Sequence, residues 1–448
     1  MRVSLPSLLC AVALRGQEPP HLTIEHYTLP NGLEVVLSED HSTPVVAVST
    51  YYRVGSADEA IGHTGVAHLV EHVAYAAVEH VPPKHFRQWL GTGDAGSAGS
   101  TDEDRTRFDE WMPSGALPLA LQLDADRMSR VLPSVDEAAV DRQRVAAEIE
   151  RRERVDSVPY ARGDEVMRAA LFPPGHPYSW PLFGLPSDVA EASVKDVRAF
   201  LKRYYAPNAA ALAIAGDFLP DSAKRWVARA FADIPRSSGA GARPHAVTFA
   251  LDHDSLVVLE DRVQLPRVCY AWHSVKAFHP DDAALDALAY VLADGPESRL
   301  YTRLVRDEQV AQSVAAEQQG RRLDGHFTLA VTASPGVTPS QIDTLVAREL
   351  TRVIDSGVTE HELDRVRQRR RAKMLEDFTN VARRAEVLNY YNYFAGSPDY
   401  AANDMDRYDR LSPDDVRRVA AHYLGAHRVI LTIVPLGRAA IRIRVPAS

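Results

Sequence analysis

Val35-Val-Leu37, followed by Pro44-Val-Val46, returns 222 residues later as Val257-Val-Leu259 followed by Pro266-Arg-Val268. Each copy reads as a strand, a turn and a second strand rich in β-branched residues. Ahead of the first copy, Asn31-Gly32 sits between two alternating runs and signals a hairpin. A second correspondence links Ser193, Asp196, Val197, Arg198 and Tyr204 to Ser412, Asp415, Val416, Arg417 and Tyr423, now at an offset of 219. Between the copies runs Pro235-Arg-Ser-Ser-Gly-Ala-Gly-Ala-Arg-Pro244, a stretch that breaks both helix and strand patterns. The expectation is an α+β fold of two homologous domains from an internal duplication, each an antiparallel-rich sheet with packed helices. The bounds are 24–235 for the first domain, 236–248 for the linker and 249–448 for the second.

Only the first copy carries His68-Leu-Val-Glu71-His72, inside the apolar-periodic run Thr64 to Ala77. On a helix His68 and His72 stand one turn apart on one face, and Glu71 lies on that face as well. Two imidazoles so placed suit zinc, and a neighbouring carboxylate could take a proton from a metal-held water. H-x-x-E-H is the inverzincin peptidase signature. With 17 histidines in the chain a chance pair would be unremarkable, so a third ligand has to be found. At an offset of 222, His68 falls on Tyr290 and His72 on Asp294, so the second copy has no metal motif.

A catalytic zinc takes three protein ligands. The helix expected after the Ser134-Val-Asp-Glu137 capping box, running to about Arg154, offers Asp141, Glu148, Glu150 and Glu153. Taking Val145 and Ile149 as its buried stripe puts Glu148 inward, with Asp141 two turns behind it as a hydrogen-bonding support. Glu150 then points to solvent.

Composition narrows the field. The chain has 448 residues, 46% hydrophobic and 25% charged, an ordinary globular balance with room for two or three domains. A net charge of −9 speaks against a general nucleic-acid binder. Cys10 and Cys269 are the only cysteines, which excludes a disulfide framework and a thiolate metal site. The start, Met1-Arg2 then apolar Val3 to Leu14 with Ala11-Val-Ala13, reads as a secretory signal within residues 1–20. It implies a periplasmic or secreted protein if real, and a cytoplasmic one otherwise. No other segment is long and apolar enough for a membrane span. Gly91-Thr-Gly-Asp-Ala-Gly96 fits a dinucleotide fingerprint but lacks the preceding strand, and Arg367 to Lys373 reads as a solvated helix face.

With these residues in view, the chain resembles the pitrilysin/insulinase family of zinc peptidases, and most closely its shorter branch with the mitochondrial processing peptidase. The likeness rests on His68-Leu-Val-Glu71-His72 and on Val145-Ala-Ala-Glu148-Ile149, with 75 residues between His72 and Glu148. It extends through Leu29-Pro-Asn-Gly32, Asp104-Arg-Thr106 and Ser298-Arg-Leu300. The resemblance implies one Zn²⁺ held by His68, His72 and Glu148, Glu71 as general base, and hydrolysis of short or unfolded peptides. It also implies a clam-like chamber formed with a second copy or a related subunit, and an extended peptide docked along the strand around Ser100–Phe108. Three departures stand out. Asp141 replaces a glutamate, Ala98-Gly-Ser-Thr101 lacks the family's asparagine, and Gln312 stands where a substrate-holding tyrosine is expected. In gapless register Val305 takes the place of that tyrosine's arginine, with Arg306 beside it. The rival expectation is a non-catalytic scaffold or peptide-binding subunit.

Overall fold

The computed structural model describes residues 22–79, 95–239, 249–441 and 443. The signal-like start, most of the Gly91–Gly96 motif and most of the linker lie outside the described residues. In the first half, β1 (Ile24–Thr28), β2 (Glu34–Glu39), β3 (Val45–Tyr52), β4 (Gly96–Thr101), β5 (Thr106–Pro113) and β6 (Ala210–Gly216) form one sheet in the order β1-β2-β6-β3-β5-β4. In the second, β7 (Ser255–Asp261), β8 (Arg267–Ser274), β9 (Ala311–Gly320), β10 (Gly325–Ala333) and β11 (Val429–Pro435) are ordered β7-β11-β8-β10-β9. Remove β1 and the two orders are the same. In each sheet one pair is parallel, β2·β6 and β7·β11, and the rest are antiparallel. The duplicated α+β architecture is therefore as expected.

The register of the duplication is not the one the apolar triplets suggest. Val35 and Leu37 face the first half's own helices, whereas Val257 and Leu259 face the opposite side of their sheet. A one-residue slip reverses every side chain of a strand. The sequence hides it because both faces of both sheets are covered, so both faces are apolar.

That double cover comes from an exchange. Val35, Val48, Leu212 and Ile214 pack under the first half's own helices, including Val66–Glu79 and Leu117–Ser129. The other face, with Val36, Ala47, Ala213 and Ala215, is covered by Phe378, Ala385, Leu388 and Tyr391 of the second half. In return Met167, Leu171 and Phe172 of the first half cover Ala271, Leu431 and Ile433 of the second sheet. Gly163 permits the close approach, since a Cβ there would stand 2.6 Å from Ile433 Cδ1. Asn389, fully buried, donates from Nδ2 to the Ser49 carbonyl at 2.7 Å and so ties the exchanged helix to β3.

Helix caps follow the sequence in part. Ser193 and Asp196, paired by the 219-residue offset with Ser412 and Asp415, form a reciprocal cap in each half. The helix Glu137–Arg151 starts two residues later than the Ser134 box predicts. Asp136 is its cap, accepting from the Ala139 amide at 2.7 Å, while Ser134 ends the preceding short helix and donates to the Val131 carbonyl.

Candidate metal and catalytic centre

Val66, Ala67, Leu69, Val70, Val73 and Ala74 bury the inner face of the helix Val66–Glu79 in the first core. Its N-terminus has no Ser, Thr or Asp cap of its own. Glu59 reaches in instead, accepting from the Gly65 amide at 2.9 Å and the Ala67 amide at 2.7 Å. The remaining face carries His68, Glu71 and His72, and the two imidazole rings stand edge to face at 4.6 Å. On the far side of His68, Phe183 packs edge-on at 4.7 Å.

The third member of the cluster is Glu150. Its Oε2 lies 2.8 Å from His72 Nε2 and 3.5 Å from His68 Nε2. Among the described residues, His68, His72 and Glu150 are the one group of three or more such side chains whose ligand atoms come together, all within 4.8 Å. The hydrogen bonds from His68 and His72 hold the Glu150 carboxyl well below the usual carboxylate range. Arg154 pairs with its second oxygen at 3.0 Å.

Glu148, the ligand expected from the sequence, is not in this cluster. It is exposed and lines a separate cleft with Asp141, Val145, Phe183 and Val189. The physical reason lies in the helix phase. Val145 and Ile149, read as the buried stripe, are 57% and 40% exposed, while the buried positions are Val140 and Ala147. From those two residues the 3-4 spacing leads to Glu150 and Arg151, not to Glu148. The signal was Ala147, small and 6% exposed, on the side of the helix that is buried. Asp141 likewise supports no ligand; it is exposed and accepts from Arg144 at 2.5 Å.

Glu71 is 8% exposed, and burial raises its pKa against the lowering effects of His68, the Thr101 hydroxyl and His72. Thr101 Oγ donates to its Oε2 at 2.6 Å. Thr101 ends β4, the edge strand of the sheet, and a Cβ on Gly99 of that strand would stand 2.7 Å from Glu71 Oε1. Tyr75 binds the same strand through the Ser97 carbonyl at 3.3 Å. The sequence pattern did not disclose that β4 orients Glu71. The stretch Ser100–Phe108 expected to dock peptide is not one strand: it turns at Asp102–Arg105 and enters the interior strand β5. Among the described residues the sheet edge without a second strand partner on this side is Gly96–Thr101.

In the second half Asp294, which the 222-residue offset sets against His72, pairs with Arg369 at 2.8 Å. An ion pair thus joins the two helices there. The basic run around it is largely neutralised, with Arg367 on Glu360 and Asp364, Arg370 on Asp404 and Arg371 on Asp409. His63 faces Asp196 at 3.8 Å, away from the cluster.

Two family models cover most of the chain: Insulinase (Peptidase family M16) matches residues 34–172, and Peptidase M16 inactive domain matches residues 191–370. The chain belongs to the M16, or insulinase, family. Zinc protease PqqE of Helicobacter pylori is 27% identical over 432 residues, 94% of either chain. An uncharacterized zinc protease of Mycobacterium leprae is 25% identical over 75% of this chain and 74% of its own. A solved protease from Helicobacter pylori superposes with a TM-score of 0.85 at 23% identity, covering 94% of this chain and all of the other. A chain from Complex III2 of Candida albicans shares the fold at a TM-score of 0.76 and 13% identity, over 92% of this chain and 96% of its own. One M16 model falls on the first half and the other reaches from the end of the first half through most of the second, and among the described residues the cluster able to hold a metal lies in the first. Among the described residues no helix is long and apolar enough to cross a membrane.

Proposed function

We propose that this M16 protein is a zinc-dependent endopeptidase acting on short or unfolded peptides. The observation that carries the reading is the convergence of His68, His72 and Glu150 beside a buried Glu71. Zinc with bonds of about 2.0–2.2 Å in tetrahedral geometry needs ligand atoms about 3.4 Å apart. The two Nε2-to-Oε2 separations, 2.8 and 3.5 Å, bracket that value, and the donor set of two imidazoles and one carboxylate suits the ion. His68, His72 and Glu150 would hold it.

When bound, zinc supplies a Lewis acid for the scissile carbonyl and brings the pKa of a water it holds to about 7. The protein supplies the rest. Glu71, fixed by Thr101, takes a proton from the attacking water and delivers it to the leaving amine. The open edge of β4 pairs with the backbone of an extended peptide, so the scissile bond is aligned by main-chain hydrogen bonds rather than by a sequence code. A peptide must be unfolded to offer such an edge.

The partner reading rests on β9. Gln312 is exposed there, and Arg306 is engaged with its neighbour Asp307 at 3.0 Å. The substrate-holding arginine and tyrosine implied by the family resemblance would then come from a second copy or a related subunit. The deciding experiment measures zinc content and cleavage of an unstructured peptide pool by the purified chain, beside Glu71→Gln. One zinc per chain with cleavage lost in the variant supports the proposal. Zinc without cleavage transfers the weight to an obligate partner or to a non-catalytic role. No zinc at all overturns the mechanism.

A further inference from the structure

The tip of the β4–β5 hairpin does not face solvent. Asp102–Arg105 closes as a turn, with the Asp102 amide bonded to the Arg105 carbonyl at 2.9 Å, and Glu103 and Asp104 are 5% and 2% exposed. Two buried carboxylates at a hairpin tip need partners, and half of those partners come from one turn of the second half. The equivalent turn of the second half, Arg321–Asp324 between β9 and β10, closes the same way, with Arg321 amide to Asp324 carbonyl at 3.0 Å. The two tips clasp each other. Arg321 Nε donates to Glu103 Oε2 at 2.9 Å, and the Arg322 amide donates to Asp104 at 2.8 Å. Tyr178 completes the clasp, donating to Asp104 at 2.9 Å and accepting from the Leu323 amide at 2.9 Å. Arg168 holds the other Glu103 oxygen.

This clasp lies two residues from Thr101, whose hydroxyl fixes Glu71 at 2.6 Å. The end of the edge strand, and through it the general base, is therefore held jointly, by Arg168 and the Ser56 and Ala57 amides of the first half and by Arg321 of the second. We propose that Arg321 is a positioning residue for peptide hydrolysis: by holding Glu103 it sets the β4 end at which Thr101 orients Glu71. Arg321 touches neither the His68, His72 and Glu150 cluster nor Glu71, and it acts only through the hairpin. The inference rests on the peptidase reading above. It gives the second half a task in the chemistry, beyond enclosing substrate.

The test compares the full chain with Arg321→Met, Arg321→Lys and the double variant Arg321→Met/Glu103→Gln. Zinc content, unfolding midpoint, kcat and KM are measured on an extended fluorogenic peptide. In Arg321→Met the Glu103 charge keeps Arg168 as its partner, and in the double variant it becomes a neutral amide while Arg168 keeps Asp164 at 3.1 Å, so neither variant leaves a buried charge without a partner. Misplacement of a reacting group by a fraction of an ångström costs roughly 10–100-fold in rate. The expected result is a kcat lowered by about that factor in Arg321→Met and still lowered in the double variant. Zinc stoichiometry stays unchanged, and Arg321→Lys is partly rescued. A kcat within twofold of wild type in the stable double variant overturns the proposal, as does a kcat that merely follows the unfolding midpoint. Tyr160→Phe is the control. It loses a bond from the Tyr160 hydroxyl to the Leu265 carbonyl at 3.0 Å, between the halves but away from the clasp, and leaves kcat unchanged. A wild-type chain that binds zinc but cleaves nothing fails at the earlier step: it overturns the reading of this chain as a peptidase on its own, and the Arg321 proposal with it, and passes the weight to a partner-dependent or non-catalytic role.

Discussion

Replacing Glu150 by glutamine separates the structural assignment of the third ligand from the one the sequence pattern favours. The carboxylate oxygen that meets both His68 and His72, at 3.5 and 2.8 Å, becomes part of a neutral amide of almost the same shape. Packing is preserved, so the loss falls on metal affinity. Changes to groups one shell beyond a metal ligand already cost 10–100-fold in affinity. Removing the charge of a ligand itself should cost at least about 100-fold, or about 2.8 kcal/mol. Glu148→Gln supplies the contrast. That side chain is exposed, lines a different cleft and touches neither histidine, so zinc affinity should stay within about twofold. The assay is zinc competition with a chromophoric chelator at neutral pH, on both variants and wild type. Weakened zinc binding in Glu148→Gln with normal binding in Glu150→Gln would refute the assigned helix phase and the centre built on it.

Gly99→Ala should lower kcat about tenfold in peptide assays while zinc binding and fold persist, because the new methyl would meet Glu71 Oε1 at 2.7 Å and displace it. His176, 1% exposed and stacked on Phe172, has its pKa lowered to about 4, first by burial and then by His273. It is neutral when folded and protonated at about 6.5 when unfolded. It therefore contributes about 3 kcal/mol above pH 6.5 that is lost as pH falls toward 4, and His176→Gln should flatten the pH dependence of the urea midpoint by that amount. Asn389→Ala removes a buried donor to the Ser49 carbonyl, and urea unfolding should show a loss of about 2 kcal/mol.

What the sequence made legible is what periodicity and spacing encode. The H-x-x-E-H helix, the hairpin at Asn31-Gly32, the match of Ser193 with Ser412 and the existence of two copies are such patterns. Helix phase on Glu137–Arg151 was not legible, because Val145 and Ile149 are as apolar as any core pair and yet lie exposed. A half-exposed amphipathic helix whose buried residues are only Val140 and Ala147 carries a weak stripe. The register of the duplicated strands was lost for a related reason: apolar residues on both faces erase the period-2 signal that fixes parity. The roles of Glu59, Thr101 and Arg321 depend on contacts between distant segments, and no window of sequence contains both partners.

The reciprocal roofing of the two sheets has a consequence for synthesis. The first sheet is complete once Gly216 has been made, but the face bearing Val36, Ala47, Ala213 and Ala215 gains most of its cover from residues that begin near Met374, roughly 160 positions later. At about 5–20 residues per second, a nascent chain carries that bare apolar face for about 8–30 s. During this interval the first half is a sticky, half-finished object. Its safe passage depends on the speed of the ribosome and the company of chaperones.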